Sequence, residues 1–184
     1  MDFNPRNLKQ EAEKYQAKLK KIKYALFDAD GILTPGHIYW ANSEIGFSRA
    51  FHVHDGYGIK LLREAGIIVG VISGGNSISL MKRIENLKIE HSFCGNEDKR
   101  QAYLDFQKAT SCKDEETLYM GDELFDIPIL KRVGFSATNT HAAIEVRDSV
   151  DYITQKGPGE GCVREVIDMV RYAQGIEVEI KDFD

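Results

Sequence analysis

The sequence predicts a three-layer α/β fold on a mainly parallel sheet. Short apolar runs recur along the chain, each stops at a polar or acidic group, and segments of helical spacing separate them. Strands of a parallel sheet are covered on both faces, so they stay apolar throughout instead of alternating. In chain order the runs are IKYALFD from Ile22, IIVGVIS from Ile67, TLYMGD from Thr117 and GFSAT from Gly134. Helical spacing covers residues 57–64, 77–87, 99–109, 126–133 and 142–147, and a last helix over 163–174 meets Gly175, a stop signal. Residues 7–21 are rich in helix formers and in both charge signs but poor in large apolar side chains, and read as a surface helix or partly ordered arm.

One stretch interrupts the alternation. Residues 31–54 carry aromatic and β-branched side chains on both sides of a turn-forming segment with Asn42, Ser43 and Gly46, the pattern of a β-hairpin inserted after the first strand. Ligands of doubly wound sheets bind beyond the carboxyl ends of the strands, where this hairpin emerges. It is therefore placed to cover a site or to form a subunit interface. With no repeat, low-complexity tract or linker, the chain divides into an N-terminal arm (1–21), one domain (22–175, hairpin flap at 31–54) and a tail (176–184).

A chain of 184 residues fits one domain that buries roughly two-thirds of its unfolded surface. Cys94, Cys112 and Cys162 lie far apart without metal-ligand spacing, which disfavours a zinc site or disulfide framework and reads as reduced thiols in the cytoplasm. The five histidines have no ligand spacing either and read as packing or surface residues. No apolar run reaches the roughly 20 residues of a membrane span, and the first 23 residues lack a signal-peptide core, so neither membrane insertion nor export is expected. The 24 Lys and Arg against 29 Asp and Glu give a net charge of −5, which disfavours nucleic acid as a partner and favours a small molecule. An acidic protein acting on a phosphate must supply local positive charge, and a divalent cation does so.

The chemistry-bearing residues stand where the strands end. Asp28 and Asp30, in Phe27-Asp28-Ala29-Asp30-Gly31, would share a face if strand geometry persisted, although an Asp-rich turn explains them equally well. Asp122 and Asp126 follow the third run; Asp126 could equally serve as a helix cap. Like charges converging on one rim make sense around a hard cation with oxygen ligands, and magnesium fits best. Ser73, before Gly74 and Gly75, offers a hydroxyl and backbone N–H groups to phosphate, or is a plain turn serine. Lys99 opens a helix from which it could reach the same rim, or stay solvated. It is their order after successive strands that is hard to obtain by chance.

In these residues the sequence resembles the haloacid dehalogenase superfamily of phosphohydrolases, over about residues 22–173. Gly31-Ile32-Leu33-Thr34, FHVHDGYG at residues 51–58, Asp126-Ile127-Pro128 and Gly161-Cys162-Val163-Arg164-Glu165 are most similar to the small, capless 3-deoxy-D-manno-octulosonate 8-phosphate phosphatases. The resemblance implies a Rossmann-like fold without a large cap domain and a homotetramer with packed hairpins. It implies Asp28 as nucleophile, Asp30 as acid and base, and Ser73, Gly74 and Lys99 as phosphate binders. Magnesium would be held by the Asp28 carboxylate, the Asp30 carbonyl and Asp122, with Asp126 in support. Two positions depart from the pattern: Gly75 follows Ser73-Gly74, and Glu160 lies in the C-terminal glycine-rich segment, where the family tends to have basic residues. The substrate therefore stays open between the octulosonate, whose hydrolysis belongs to lipopolysaccharide precursor synthesis, and a nonulosonate 9-phosphate or other small phosphosugar. A catalytically silent scaffold or partner-binding subunit of the same fold is the reading from another class.

Overall fold

The computed structural model describes residues 6–180 and Phe183. The start of the predicted arm, residues 1–5, and positions 181, 182 and 184 of the tail lie outside the described residues. The strands are β1 (Tyr24–Phe27), β2 (Tyr39–Asn42), β3 (Gly46–Ser48), β4 (Ile68–Ser73), β5 (His91–Cys94), β6 (Thr117–Met120), β7 (Phe135–Thr138) and β8 (Tyr152–Ile153). Six of them form one sheet in the order β5-β4-β1-β6-β7-β8, with every neighbouring pair parallel. The chain runs outward from β1 through β4 to β5, then returns to the other side of β1 as β6. The order reverses there, so the crevice above the ends of β1 and β6 is where such sheets bind ligands.

The four predicted runs supply β1, β4, β6 and β7. Strand β1 shows why they were apolar: Ala25, Leu26 and Phe27 are all fully buried. Ala25 and Phe27 join a core with Val71, Met120, Phe135 and Ile167 on one face, while Leu26 joins Ile72, Tyr119, Tyr103 and Phe106 on the other. Strands β5 and β8 had no such signal. The first is half-buried, with a polar sequence, and the second is a two-residue edge strand.

The helices are α1 (Leu8–Lys14), α2 (Gln16–Leu19), α3 (Val53–Glu64), α4 (Ile78–Asn86), α5 (Lys99–Thr110), α6 (Ile127–Leu130), α7 (Ile144–Arg147) and α8 (Cys162–Gln174). The arm is less peripheral than its composition implies. Ala12 and Leu19 are buried in the core; the Gln174 side-chain amide donates to the carbonyls of Leu19 (2.9 Å) and Ile22 (2.7 Å), and the Tyr15 hydroxyl to that of Asp151 (2.9 Å). A few apolar residues at helical spacing suffice where the helix need only cover α8. The hairpin β2–β3 forms as expected, with its turn held by the Asn42 side chain accepting from the N–H groups of Glu44 and Ile45. No large cap accompanies it among the described residues, and no helix there is long and apolar enough to cross a membrane.

If α1 and α2 are part of the folding unit, Leu19→Ala lowers unfolding free energy by about 2–5 kcal/mol, the range for a buried leucine. Urea denaturation measures this; a loss under about 0.5 kcal/mol, typical of a surface site, would show the arm to be peripheral.

Candidate active site

Asp28 stands one residue beyond β1, and its N–H still donates to the Met120 carbonyl at 2.9 Å, extending the ladder to β6. The strand then gives way to a wide turn, Ala29–Leu33, in which Gly31 has φ +83°. A Cβ there would lie 2.0 Å from Asp122 Oδ2, so glycine is required both by the conformation and by the approach of that carboxylate. The turn also corrects the extrapolated strand geometry: Asp30 leaves the face shared by the other acids. Its carboxylate accepts from Arg49 Nε (2.6 Å) and Nη2 (2.8 Å).

Lys99, the first residue of α5, is fully buried, which excludes the solvated alternative. Its ammonium lies 2.9 Å from Asp28 Oδ1, 2.7 Å from Asp126 Oδ1 and 4.5 Å from the Phe125 ring centre. Asp126 Oδ1 also accepts from the Tyr119 hydroxyl at 2.5 Å, and Oδ2 from the N–H groups of Asp122 and Glu123, both at 3.1 Å. Asp126 is thus more than a cap: it ties Lys99, β6 and the loop after β6 together. A Cβ on Gly121 would come within 2.4 Å of its Cγ, so that position must also stay bare. Ser73 is buried at the end of β4, its Oγ accepting from the Gly75 N–H at 3.1 Å, so the hydroxyl and the Ser73-Gly74-Gly75 turn form one unit.

Oxygens of Asp28, Asp122 and Asp126 lie within 4.8 Å of one another. Both Asp126 oxygens are already engaged, which makes it a brace rather than a ligand. Asp122 Oδ1 differs: it is buried with no hydrogen-bond partner. Burial, with Asp126 close by, pushes the Asp122 carboxyl up to about 7 despite Lys99. Burial likewise holds Asp28 well above the usual carboxylate range, with Lys99 pulling the other way. An orphaned, desolvated oxygen among all-oxygen donors fits a hard divalent cation.

Asp28, Lys99, Asp122 and Asp126 therefore meet through their side chains, while Asp30 turns to Arg49 beside the Ser73-Gly74-Gly75 turn. Tyr119 and Arg49 were missed. A tyrosine inside a fully buried strand needs a partner for its hydroxyl, a usable signal; nothing local ties Arg49 to an acid nineteen residues away.

A parallel sheet whose central strand ends carry acids around a buried lysine defines a haloacid dehalogenase-like hydrolase, and the model of that family matches residues 94–166. The chain is 40% identical over 161 residues to the 3-deoxy-D-manno-octulosonate 8-phosphate phosphatase KdsC of Haemophilus influenzae, covering 87% of this chain and 88% of the relative. The Moraxella catarrhalis phosphatase of that name, solved with magnesium, phosphate and the sugar acid, is 35% identical with a TM-score of 0.84, covering 89% of this chain and 93% of that one. A cobalt-bound form from Haemophilus influenzae is 38% identical with a TM-score of 0.81, covering 86% and 92%. The chain belongs to this family of phosphatases.

The raised Asp122 carboxyl gives a signed prediction. Without metal, the folded protein holds that proton up to about pH 7 while the unfolded chain releases it near 3.8, so this contribution is complete below about pH 3.8 and lost as pH rises through about 7. A cation replaces the proton, so magnesium should raise the melting temperature more at about pH 8 than at about pH 6. Equal shifts at the two pH values would contradict the assignment of Asp122 as a ligand.

Proposed function

We propose that the chain hydrolyses 3-deoxy-D-manno-octulosonate 8-phosphate to the sugar acid and phosphate, with magnesium, through an aspartyl-phosphate on Asp28. The observation that carries the reading is the Lys99 ammonium between Asp28 and Asp126, beside the orphaned oxygen of Asp122. The bonds from Ala29 N–H and Lys99 both fall on Asp28 Oδ1, so Oδ2 is assigned the attack on phosphorus. The phosphorus–oxygen bond to the sugar breaks as Asp30 gives the leaving oxygen its proton. Water then attacks the same phosphorus, Asp30 takes its proton, and the acyl phosphate bond breaks to restore Asp28.

Lys99 neutralises the transferring group, while Ser73 Oγ and the Gly74 N–H orient its oxygens. Magnesium, when held by the Asp28 carboxylate, the Asp30 carbonyl and Asp122, adds charge neutralisation at the phosphoryl oxygens. Asp126 fixes the Asp122 loop and Lys99. Gly75 and Glu160, uncharged and acidic where basic residues would suit a second anion, favour one rival substrate class, a small phosphosugar without a carboxylate, over both the octulosonate and a nonulosonate 9-phosphate.

We assign the working form as a homotetramer in the cytoplasm. The hairpin exposes Ile38, Tyr39, Trp40 and Phe47 together, with the Trp40 and Phe47 rings in edge contact at 5.3 Å. Apolar groups so concentrated on one protrusion mark a protein interface. Light scattering should give the mass of four chains; the mass of one chain would overturn this assignment. The three cysteines are free thiols, as a reducing compartment keeps them.

Phosphate release from a panel of phosphosugars tests the reaction and the substrate together. The octulosonate 8-phosphate is expected to lead the panel, with release requiring magnesium and falling by at least about 1,000-fold in Asp28→Asn. Preference for another ester would overturn the substrate and keep the chemistry. Absence of magnesium-dependent release from every ester would leave a non-catalytic scaffold.

A further inference from the structure

A phosphorylated sugar acid brings two anionic groups into the site. The phosphoryl group meets Lys99, whose ammonium is enclosed between Asp28 and Asp126 and has no reach beyond them. The carboxylate lies on the leaving-group side, the side of Asp30 in the reading above. The cation there is Arg49, carried on the loop between β3 and α3 at the base of the hairpin.

The geometry of Arg49 is not that of an ordinary surface ion pair. Its side chain is only 10% exposed while that of Asp30 is 37% exposed, so the pair is enclosed on the arginine side and open to solvent through the carboxylate. Both Asp30 oxygens accept from the guanidinium, and Oδ1 also lies 3.3 Å from the Thr34 hydroxyl. A Cβ on Gly75 would stand 3.0 Å from Arg49 Nη2 and 3.1 Å from Asp30 Oδ2. The guanidinium thus lies over the Ser73-Gly74-Gly75 turn, in space that glycine leaves open. Held this way, Asp30 keeps one open lone pair, on Oδ2, and the bidentate guanidinium competes there with a leaving group, so turnover is eased when the fork opens. An arginine released from one carboxylate is most readily satisfied by another, because a guanidinium matches a carboxylate in two parallel hydrogen bonds.

We infer that Arg49 is the specificity-determining residue for the substrate's carboxylate, exchanging Asp30 for that group as substrate enters and freeing Asp30 at the leaving oxygen. The inference rests on the phosphosugar-acid reading above and adds to it the residue that selects the acid. Glycine at position 75 gives the guanidinium room to move between its two partners, and the loop from the hairpin supplies it.

The test compares wild type, Arg49→Lys and Arg49→Met on the octulosonate 8-phosphate, a 9-phosphononulosonate and a carboxylate-free pentose 5-phosphate, with magnesium throughout. The quantity read is the ratio of kcat/KM for the acid substrates to that for the pentose phosphate. For Arg49→Met it is expected to fall about 30-fold, chiefly through KM, the scale of losing a charged hydrogen-bonding partner. Arg49→Lys, which keeps the charge without the fork, should fall between; it carries the test if the methionine variant does not fold. An unchanged ratio overturns the inference, whether both substrates lose activity equally, as for a residue that only positions Asp30, or neither does. If the wild type turns over the nonulosonate but not the octulosonate and the ratio still falls, the substrate named above fails while Arg49 keeps its role. A wild type that prefers the carboxylate-free ester, or hydrolyses none of the three, overturns both.

Discussion

A single buried ammonium organises the site. Lys99 sits without solvent contact between Asp28 and Asp126, and the start of α5, the end of β1 and the loop after β6 have to meet within its reach. Breaking a buried pair by removing one partner costs about 3–5 kcal/mol, because the remaining charge is stranded. The neighbouring glycines follow from this convergence: Gly31 makes room for Asp122 and Gly121 for Asp126. Tyr119 and two backbone N–H groups complete Asp126, so its carboxylate holds a fixed orientation. The arrangement still leaves acids in excess over the one lysine, and Asp122 keeps a buried oxygen without a partner. The same convergence that fixes the fold at this rim thus creates the demand for a cation.

The hairpin connects this inner site to the surface. Its aromatic side chains are exposed, while Arg49 at its base reaches Asp30 and packs over Gly75. Any displacement of β2–β3 would therefore be felt at Asp30. In the proposed reading, Lys99 sets the phosphoryl half of the site from inside the sheet, and Arg49 sets the other half from an insertion.

The sequence made the inner site legible because buried parallel strands are apolar throughout and stop abruptly; acids directly after such runs must lie on one rim. That logic placed Asp28, Asp122 and Asp126 together, and Lys99 joins them from the start of α5. It failed for β5 and β8, too short or too polar to form an apolar run, and it extended the strand past Asp28 where Gly31 turns the chain. It also undervalued α1 and α2, whose contribution is a few side chains such as Leu19 set against α8. Arg49 carried no signal, since its partner is chosen by the path of the hairpin and not by any periodicity.

The central claim is that Asp28 carries the phosphoryl group, and the most direct test is to quench the enzyme during turnover and map the modified peptide by mass spectrometry. The account predicts one added phosphoryl group on the peptide containing Asp28, absent in Asp28→Asn. A phosphoryl group on another residue, or steady release of phosphate with Asp28 never modified, would contradict it.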